Sequence, residues 1–344
     1  MVSIKDIAKS LGVSVSTVSL ALNDKPRVSE EMREMIKQKA KEMNYVKNGI
    51  AADLQRKRTN IILFVVNDAS RSFFSSIISH LQKATAAFGY DLLICTTYGN
   101  HLSTAKRFME ERRADAVIIY TSTIPDEMIQ QYAREDFPVV VLGRNVEGEH
   151  IYCLGTPQVN TILKTTEYLI QMGHKKIAFV KGSTVSLNTS RSLARYKLTL
   201  EHYGIPYDES MIFDAEGASY KNGYAVTEKM LPHIHEFDSI QYSTDDNAIG
   251  GLLCLKGNGI RVPDDISVVG INNIPESQFC SPALTTSGTD GNPYLFYEGV
   301  IHYLIMQIEK DNENEEITKQ LSEKLHENFG VDRLIVRESV KKID

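Results

Sequence analysis

Between residues 59 and 344 the chain repeats one device, a short apolar run of β-forming residues followed by an amphipathic helical stretch. The runs are IILFVV (61–66), DLLICTT (91–97), DAVIIY (115–120), PVVVLG (138–143), KIAFVK (176–181), SIQYS (239–243) and SVVGI (267–271). A strand that is apolar on both faces must be covered on both. Helices between successive strands supply that cover, so the pattern specifies parallel sheets with a helical layer on each side. Seven runs are too many for one small sheet, and the expectation is an α/β body of two doubly wound lobes. Such lobes take ligands at the carboxyl ends of their strands, here in the cleft between them.

The first 58 residues read differently. Ser3-Ile4-Lys5-Asp6 has the form of a capping box, Ile4, Ile7, Ala8 and Leu11 share one helical face, and Gly12 stops the pattern. Ser14 then caps a second helix running to Leu22. Ser29, followed by Glu30 and Glu31, opens a third, with Met32, Met35, Ile36, Ala40 and Met43 on one face. The link Gly12-Val13-Ser14 leaves room only for a tight turn, so the first two helices make a helix-turn-helix pair. On the second helix Val18, Ala21 and Leu22 face inward. Val15, Ser16 and Leu20 are then free to meet base edges, and Ser14, Thr17, Ser19 and Asn23 to bond phosphates. The same periodicity suits a three-helix protein-interaction module, and pattern alone leaves both readings open.

Charge supports the nucleic-acid reading. The net charge of −6 hides an asymmetry: residues 1–58 hold twelve Lys and Arg against seven Asp and Glu, or +5, which leaves −11 on the rest. A basic head on an acidic body approaches a duplex head first. The opening MVSIKDIAKS has charges where a signal peptide needs an apolar core, and no run approaches a membrane span, so a soluble cytoplasmic protein is expected. That also argues against a transporter's solute-binding protein, which the body alone would permit. Cys95, Cys153, Cys254 and Cys280 lack metal-type spacing and read as buried reduced thiols. There is no P-loop, no G-x-G-x-x-G after a strand and no G-x-S-x-G elbow, so no enzyme, catalytic residue, metal or cofactor is expected. Asp245-Asp246 reads as helix capping, His174 as a turn residue, and the acidic stretch 309–324 as solvated.

The stretch IKDIAKSLGVSVSTVSLALNDKPRVSEEMREMIKQKAKEMNY resembles the DNA-binding head of the lactose-repressor and galactose-repressor (LacI/GalR) family of bacterial transcriptional regulators almost end to end. The body resembles the same family, most strongly at GNGIRVPDDISVVGINN (257–273), and also at SRSFFSSII, LIQMGHKKIAFVKG, PALTT (282–286) and LIVRESV (334–340). The resemblance implies an all-α helix-turn-helix head over residues 1–46, a hinge helix over 47–58 and a periplasmic-binding-protein-like body of doubly wound parallel sheets over 59–344. It places the N-lobe at about 59–160 and 290–320, and the C-lobe at about 161–289 and 321–344. The implied function is a repressor of a carbohydrate-related operon. It would bind double-stranded DNA, at a pseudo-palindromic operator, as a homodimer governed by a small-molecule effector or a protein co-effector.

The family's pattern also assigns residues. Leu54 takes the place of the hinge leucine that wedges into the minor groove, although Lys47 and Ala52 replace the usual proline and arginine of that segment. Leu20 replaces the usual base-reading arginine and Val15 is apolar too, so readout leans on methyl contacts, Ser16 and groove shape. Phe73 and Phe74 stand where the family puts an apolar wall against its effector. Four polar clamp positions are changed, to Gly143, Ser192, Thr244 and Asn272, with Arg191 and Arg195 flanking Ser192. The loss of the usual carboxylate and arginine implies an altered ligand or weaker sugar binding, and Arg191, Arg195 or Lys181 suits a phosphorylated or otherwise anionic one.

Overall fold

The computed structural model describes residues 2–46, 58–154, 158–182, 187–289, 293–309 and 332–343. Two compact units result, Met1–Thr59 and Asn60–Asp344.

The small unit has helices α1 (Ile4–Leu11), α2 (Val15–Leu22) and α3 (Glu30–Glu42). Their starts are the serines expected. The Ser14 hydroxyl accepts from the Thr17 amide at 3.0 Å, Ser29 accepts from Met32 at 3.4 Å, and the Ser3 amide donates to the Asp6 carboxylate at 2.9 Å. Gly12 ends α1 at φ +67°, letting the Val13 amide reach back to the Ala8 carbonyl at 3.1 Å. Ile7, Ala8, Val18, Ala21, Val28, Ile36 and Ala40 form the core. Met35, expected on the inner face of α3, is exposed instead, because Ile36 and Ala40 fill the narrow contact with the other two helices.

The large unit holds two sheets. The first has the strand order β2-β1-β3-β4-β5, all parallel, from β1 (Ile61–Val66), β2 (Asp91–Thr96), β3 (Ala116–Tyr120), β4 (Val139–Leu142) and β5 (Ile151–Leu154). Strand alternation divides its residues between two cores. Ile62, Phe64 and Val66 pack under α4 (Ser72–Ala87) and α11 (Pro293–Glu309), while Leu63 and Val65 pack on the other face under α5 (Ser103–Glu110) and α6 (Asp126–Tyr132). β2 departs from the expected two-sided burial: at the sheet edge only Cys95 is buried, and Leu93 and Ile94 are exposed.

The second sheet has the order β11-β10-β9-β8-β6-β7, parallel except for the β10–β11 pair. Its strands are β6 (Ile177–Lys181), β7 (Ile212–Asp214), β8 (Ser239–Tyr242), β9 (Ser267–Ile271), β10 (Thr285–Thr289) and β11 (Asp332–Ile335). One face packs on α9 (Tyr220–Met230) and α10 (Asp245–Gly257), the other on α7 (Gln158–Gln171) and α8 (Leu187–His202). Buried Gln241 is satisfied by Thr165 and Thr166 at 2.8 Å each, and His174 joins Asp238 to the Lys341 carbonyl at 3.1 Å each. Burial alone would raise the Asp238 carboxyl, but His174 and the amides of Lys175 and Lys176 hold it below its ordinary range. All four cysteines are free; Cys153 and Cys280 are half-buried, not buried as expected, and burial pushes every one of the four thiols up. Among the described residues no helix is long and apolar enough to cross a membrane.

Candidate nucleic-acid interface and interlobe site

In the small unit, α2 is held on its inner side by Val18 and Ala21 and presents Val15 and Ser16 to solvent. Leu20 is not free as expected. It is half-buried against the core, since a helix of eight residues gripped by neighbours on two sides leaves only a narrow face open. Ser14 and Thr17 share a hydrogen bond at 2.8 Å, and the Asn23 amide donates to the Ser19 carbonyl at 2.8 Å. These polar side chains therefore shape the helix ends, and Ser14 and Asn23 are exposed. Leu54 and the rest of 47–57 lie outside the described residues.

In the large unit, three helix N-termini from two lobes converge. Arg71 precedes α4, Ser219 caps α9 by accepting from the Asn222 amide at 3.2 Å, and Thr244 caps α10 by accepting from Asn247 at 3.2 Å. The Ser72 and Tyr220 hydroxyls meet directly across the lobes at 2.8 Å. Phe73 is half-buried with its ring 5.7 Å from Tyr120, whereas Phe74 is turned into the core.

The aspartate pair corrects the sequence reading, because the cap is Thr244 and both aspartates lie within the first turn. Asp245 is fully buried, accepting from the Ile274 amide at 2.9 Å and the Thr286 hydroxyl at 2.7 Å, and burial pushes its carboxyl up to about 7. It fastens α10 to the ends of β9 and β10. Asp246 is 2 % exposed and one of its oxygens has no hydrogen-bond partner. Burial raises its pKa, Arg71 opposes the rise and Glu276 adds to it. Burial likewise lowers the Arg71 guanidinium against the pull of Asp246, and its Nε is buried without a partner.

The remaining expected residues are dispersed. Arg191 and Arg195 share the exposed face of α8 with Ala194 and Leu198, while Ser192 is half-buried. Gly143 ends β4 at φ +89°, and the following Arg144 turns to Asp126 and the Ile124 carbonyl. Asn272 has φ +113° and its amide donates to Ser287 at 2.8 Å. Sequence reasoning missed Arg71 and Tyr220, and took Asp246 for part of a helix cap. The signal available for them was position alone: each opens, or nearly opens, a helix that follows a strand.

Comparison with known proteins adds the following. The profile of periplasmic binding proteins and the sugar-binding domain of the LacI family matches residues 59–291, and that of bacterial regulatory proteins of the lacI family matches 3–48. The probable HTH-type transcriptional repressor ExuR of Bacillus subtilis is 31% identical, over 83% of this chain and 86% of its own. The HTH-type transcriptional repressor PurR of Vibrio atlanticus is 29% identical over 83% and 86%. The fold is shared with the lac repressor dimer crystallised on its operator with the anti-inducer ONPF, at a TM-score of 0.71, 21% identity and 99% coverage of both chains.

Proposed function

The chain belongs to the LacI family of bacterial regulatory proteins, and from that membership we propose that it is a transcriptional repressor whose head reads an operator and whose body senses a small molecule. Residues 1–46 are the reader, 47–58 the hinge and 59–344 the sensor and dimerisation body. Two heads of a cytoplasmic homodimer enter successive major grooves of a pseudo-palindrome, and the Leu54 pair opens its centre. No catalytic role is assigned. The curated relatives named above are repressors.

The observation that carries the reading is the exposed pair Val15 and Ser16 at the start of a helix whose opposite face is locked into the head's core. A helix gripped in this way presents a fixed edge to a groove. Val15 offers a methyl surface, Ser16 a hydrogen-bonding hydroxyl, and Ser14, Thr17, Ser19 and Asn23 serve phosphates; Leu20 contributes through its half-exposed edge. The sensor lies between the lobes, walled by Phe73. A ligand that prefers one lobe arrangement alters hinge geometry and so operator affinity. Arg191, Ser192, Arg195, Thr244 and Asn272 are proposed as the outer boundary of that site. The test is fluorescence anisotropy of wild type, Val15→Ala and Ser16→Ala on a duplex recovered by selection. Each variant should bind about three- to tenfold more weakly with an unchanged fold. Unchanged affinity in both removes α2 as the reader.

A further inference from the structure

Helix α4 opens without a cap of its own. Its cap position is Arg71, whose side chain makes no capping hydrogen bond, and its first turn holds no acidic residue. A cation there adds to the positive end of the helix dipole. The opposite lobe brings the charge that α4 lacks: Asp246, in the first turn of α10, is acted on by both the Arg71 guanidinium and the Ser72 amide. Beside it the hydroxyls of Ser72 and Tyr220, the first residues of α4 and α9, meet at 2.8 Å. Arg71 is held to its own lobe, 5.7 Å from the ring centre of buried Phe74.

The compensation is incomplete. Asp246 is 2 % exposed and one of its oxygens has no hydrogen-bond partner, so the junction withdraws a carboxylate from water and returns only part of the lost hydration. Burial outweighs Arg71 and Ser72, and the Asp246 pKa stands above its ordinary 3.8. The charged and titratable groups around it are Arg71, with Asp68 and Tyr120 beside it, on the α4 side, and Asp245, Glu276 and Tyr220 on the α10 side. Glu276 raises Asp246 further, and Asp245 is tied within its own lobe to Ile274 and Thr286. When the lobes part, Asp246 regains water and its ordinary pKa. A carboxyl whose pKa is higher in the closed arrangement favours closure fully below its ordinary 3.8, and that contribution fades as pH rises through the raised value.

We propose that the interlobe junction is an acid-sensitive latch: the Ser72–Tyr220 contact fastens the closed lobes, protonation of Asp246 favours that arrangement, and its ionisation loosens it. The latch gives the body a second input to lobe closure, made of protein groups alone. Residues 1–58 contain no histidine, so no side chain of the DNA-reading unit has an ordinary pKa between about 5 and 7.5. An operator affinity that changes with pH over that range therefore originates in the body. This consequence rests on the regulator reading, whereas the latch itself does not.

The chain has no tryptophan, so Phe73→Trp in the full chain gives a single fluorescent reporter next to Ser72. Acrylamide quenching of that reporter, read from about pH 7.5 to about 5, follows the junction. Quenching should fall by about twofold or more toward the acid end. With Asp246→Asn added it should stay low throughout. With Tyr220→Phe added it should be higher at every pH and keep its slope, and Asp245→Asn should leave the profile unchanged. A slope that survives Asp246→Asn, that disappears with Asp245→Asn, or that is absent from the reporter alone overturns the latch. Anisotropy on the selected duplex at the two pH extremes and fixed salt should show an affinity difference of about threefold or more in the wild type, lost in Asp246→Asn. A responding junction with pH-independent operator affinity overturns the link to the operator. A chain that binds no duplex at either pH loses the regulator reading, and the quenching result still decides the latch.

Discussion

Gly223 and Gly250 allow α9 and α10 to touch backbone to backbone, and replacing either with alanine tests whether that contact positions the interlobe site. A Cβ at Gly250 would lie 2.0 Å from the Tyr220 carbonyl oxygen and 2.8 Å from the Tyr224 nitrogen, and one at Gly223 would lie 2.0 Å from the Asn247 carbonyl oxygen. Backbone atoms cannot swing aside as a side chain can. Since ordinary contact begins at 3.4 Å, the helices must part by about 1.4 Å. Overpacking of this kind costs about 1–3 kcal/mol, and for a body of this size the transition should fall by roughly 2–12 °C. Differential scanning calorimetry of Gly250→Ala should show that fall, with the interlobe junction loosened, because α9 carries Tyr220 and α10 carries Asp246 on their first turns. One separation relieves both clashes, so Gly223→Ala combined with Gly250→Ala should cost well under the sum of the single changes. A transition within about 1 °C of wild type would refute the close-packing argument.

Three further expectations concern other elements. Ser14→Ala removes the hydroxyl that accepts from Thr17 and should cost the head about 1 kcal/mol, seen as an earlier low-temperature transition by circular dichroism, with Ser14→Asp retaining wild-type behaviour. Leu54→Ala should weaken operator binding while leaving dimerisation and the body's unfolding unchanged, and equal operator affinity in anisotropy titrations would remove the wedge. Asp245 is pushed up from 3.8 to about 7 in the folded chain, so its contribution to stability is full below pH 4 and declines as pH rises to 7. Asp245→Asn, whose amide can donate to Thr286, should remove a decline of roughly 1–4 kcal/mol in urea-denaturation stability over that range. An identical pH profile in both proteins would show that burial does not hold this carboxyl neutral.

Much of the architecture was legible because it rests on local chemistry. Ser14 and Ser29 marked helix starts, Gly12 marked a stop, and each of the seven apolar runs contains a strand. β5 and β7 were missed as strands of four and three residues, and β10 because Thr285, Thr286 and Ser287 are polar yet fully buried. Leu20 and Met35 were misplaced because an eight-residue reading helix and the α3 contact have narrower open and closed faces than a wheel projection suggests. Phe73 and Phe74 were found by resemblance, but Phe74 is buried in the core and only Phe73 keeps exposed surface. Arg71 and Tyr220 were out of reach, since Ser72 and Tyr220 meet across 148 residues and no local pattern encodes a contact between lobes.

The central claim is that the head reads DNA as one half of a two-fold assembly, and the most direct measurement is selection of bound sequences from a random duplex pool by the full chain at a fixed, stated salt concentration. The account requires a pseudo-palindrome with two half-sites and a central step that kinks readily. Recovery of a single unrepeated half-site, or of no motif, would contradict it.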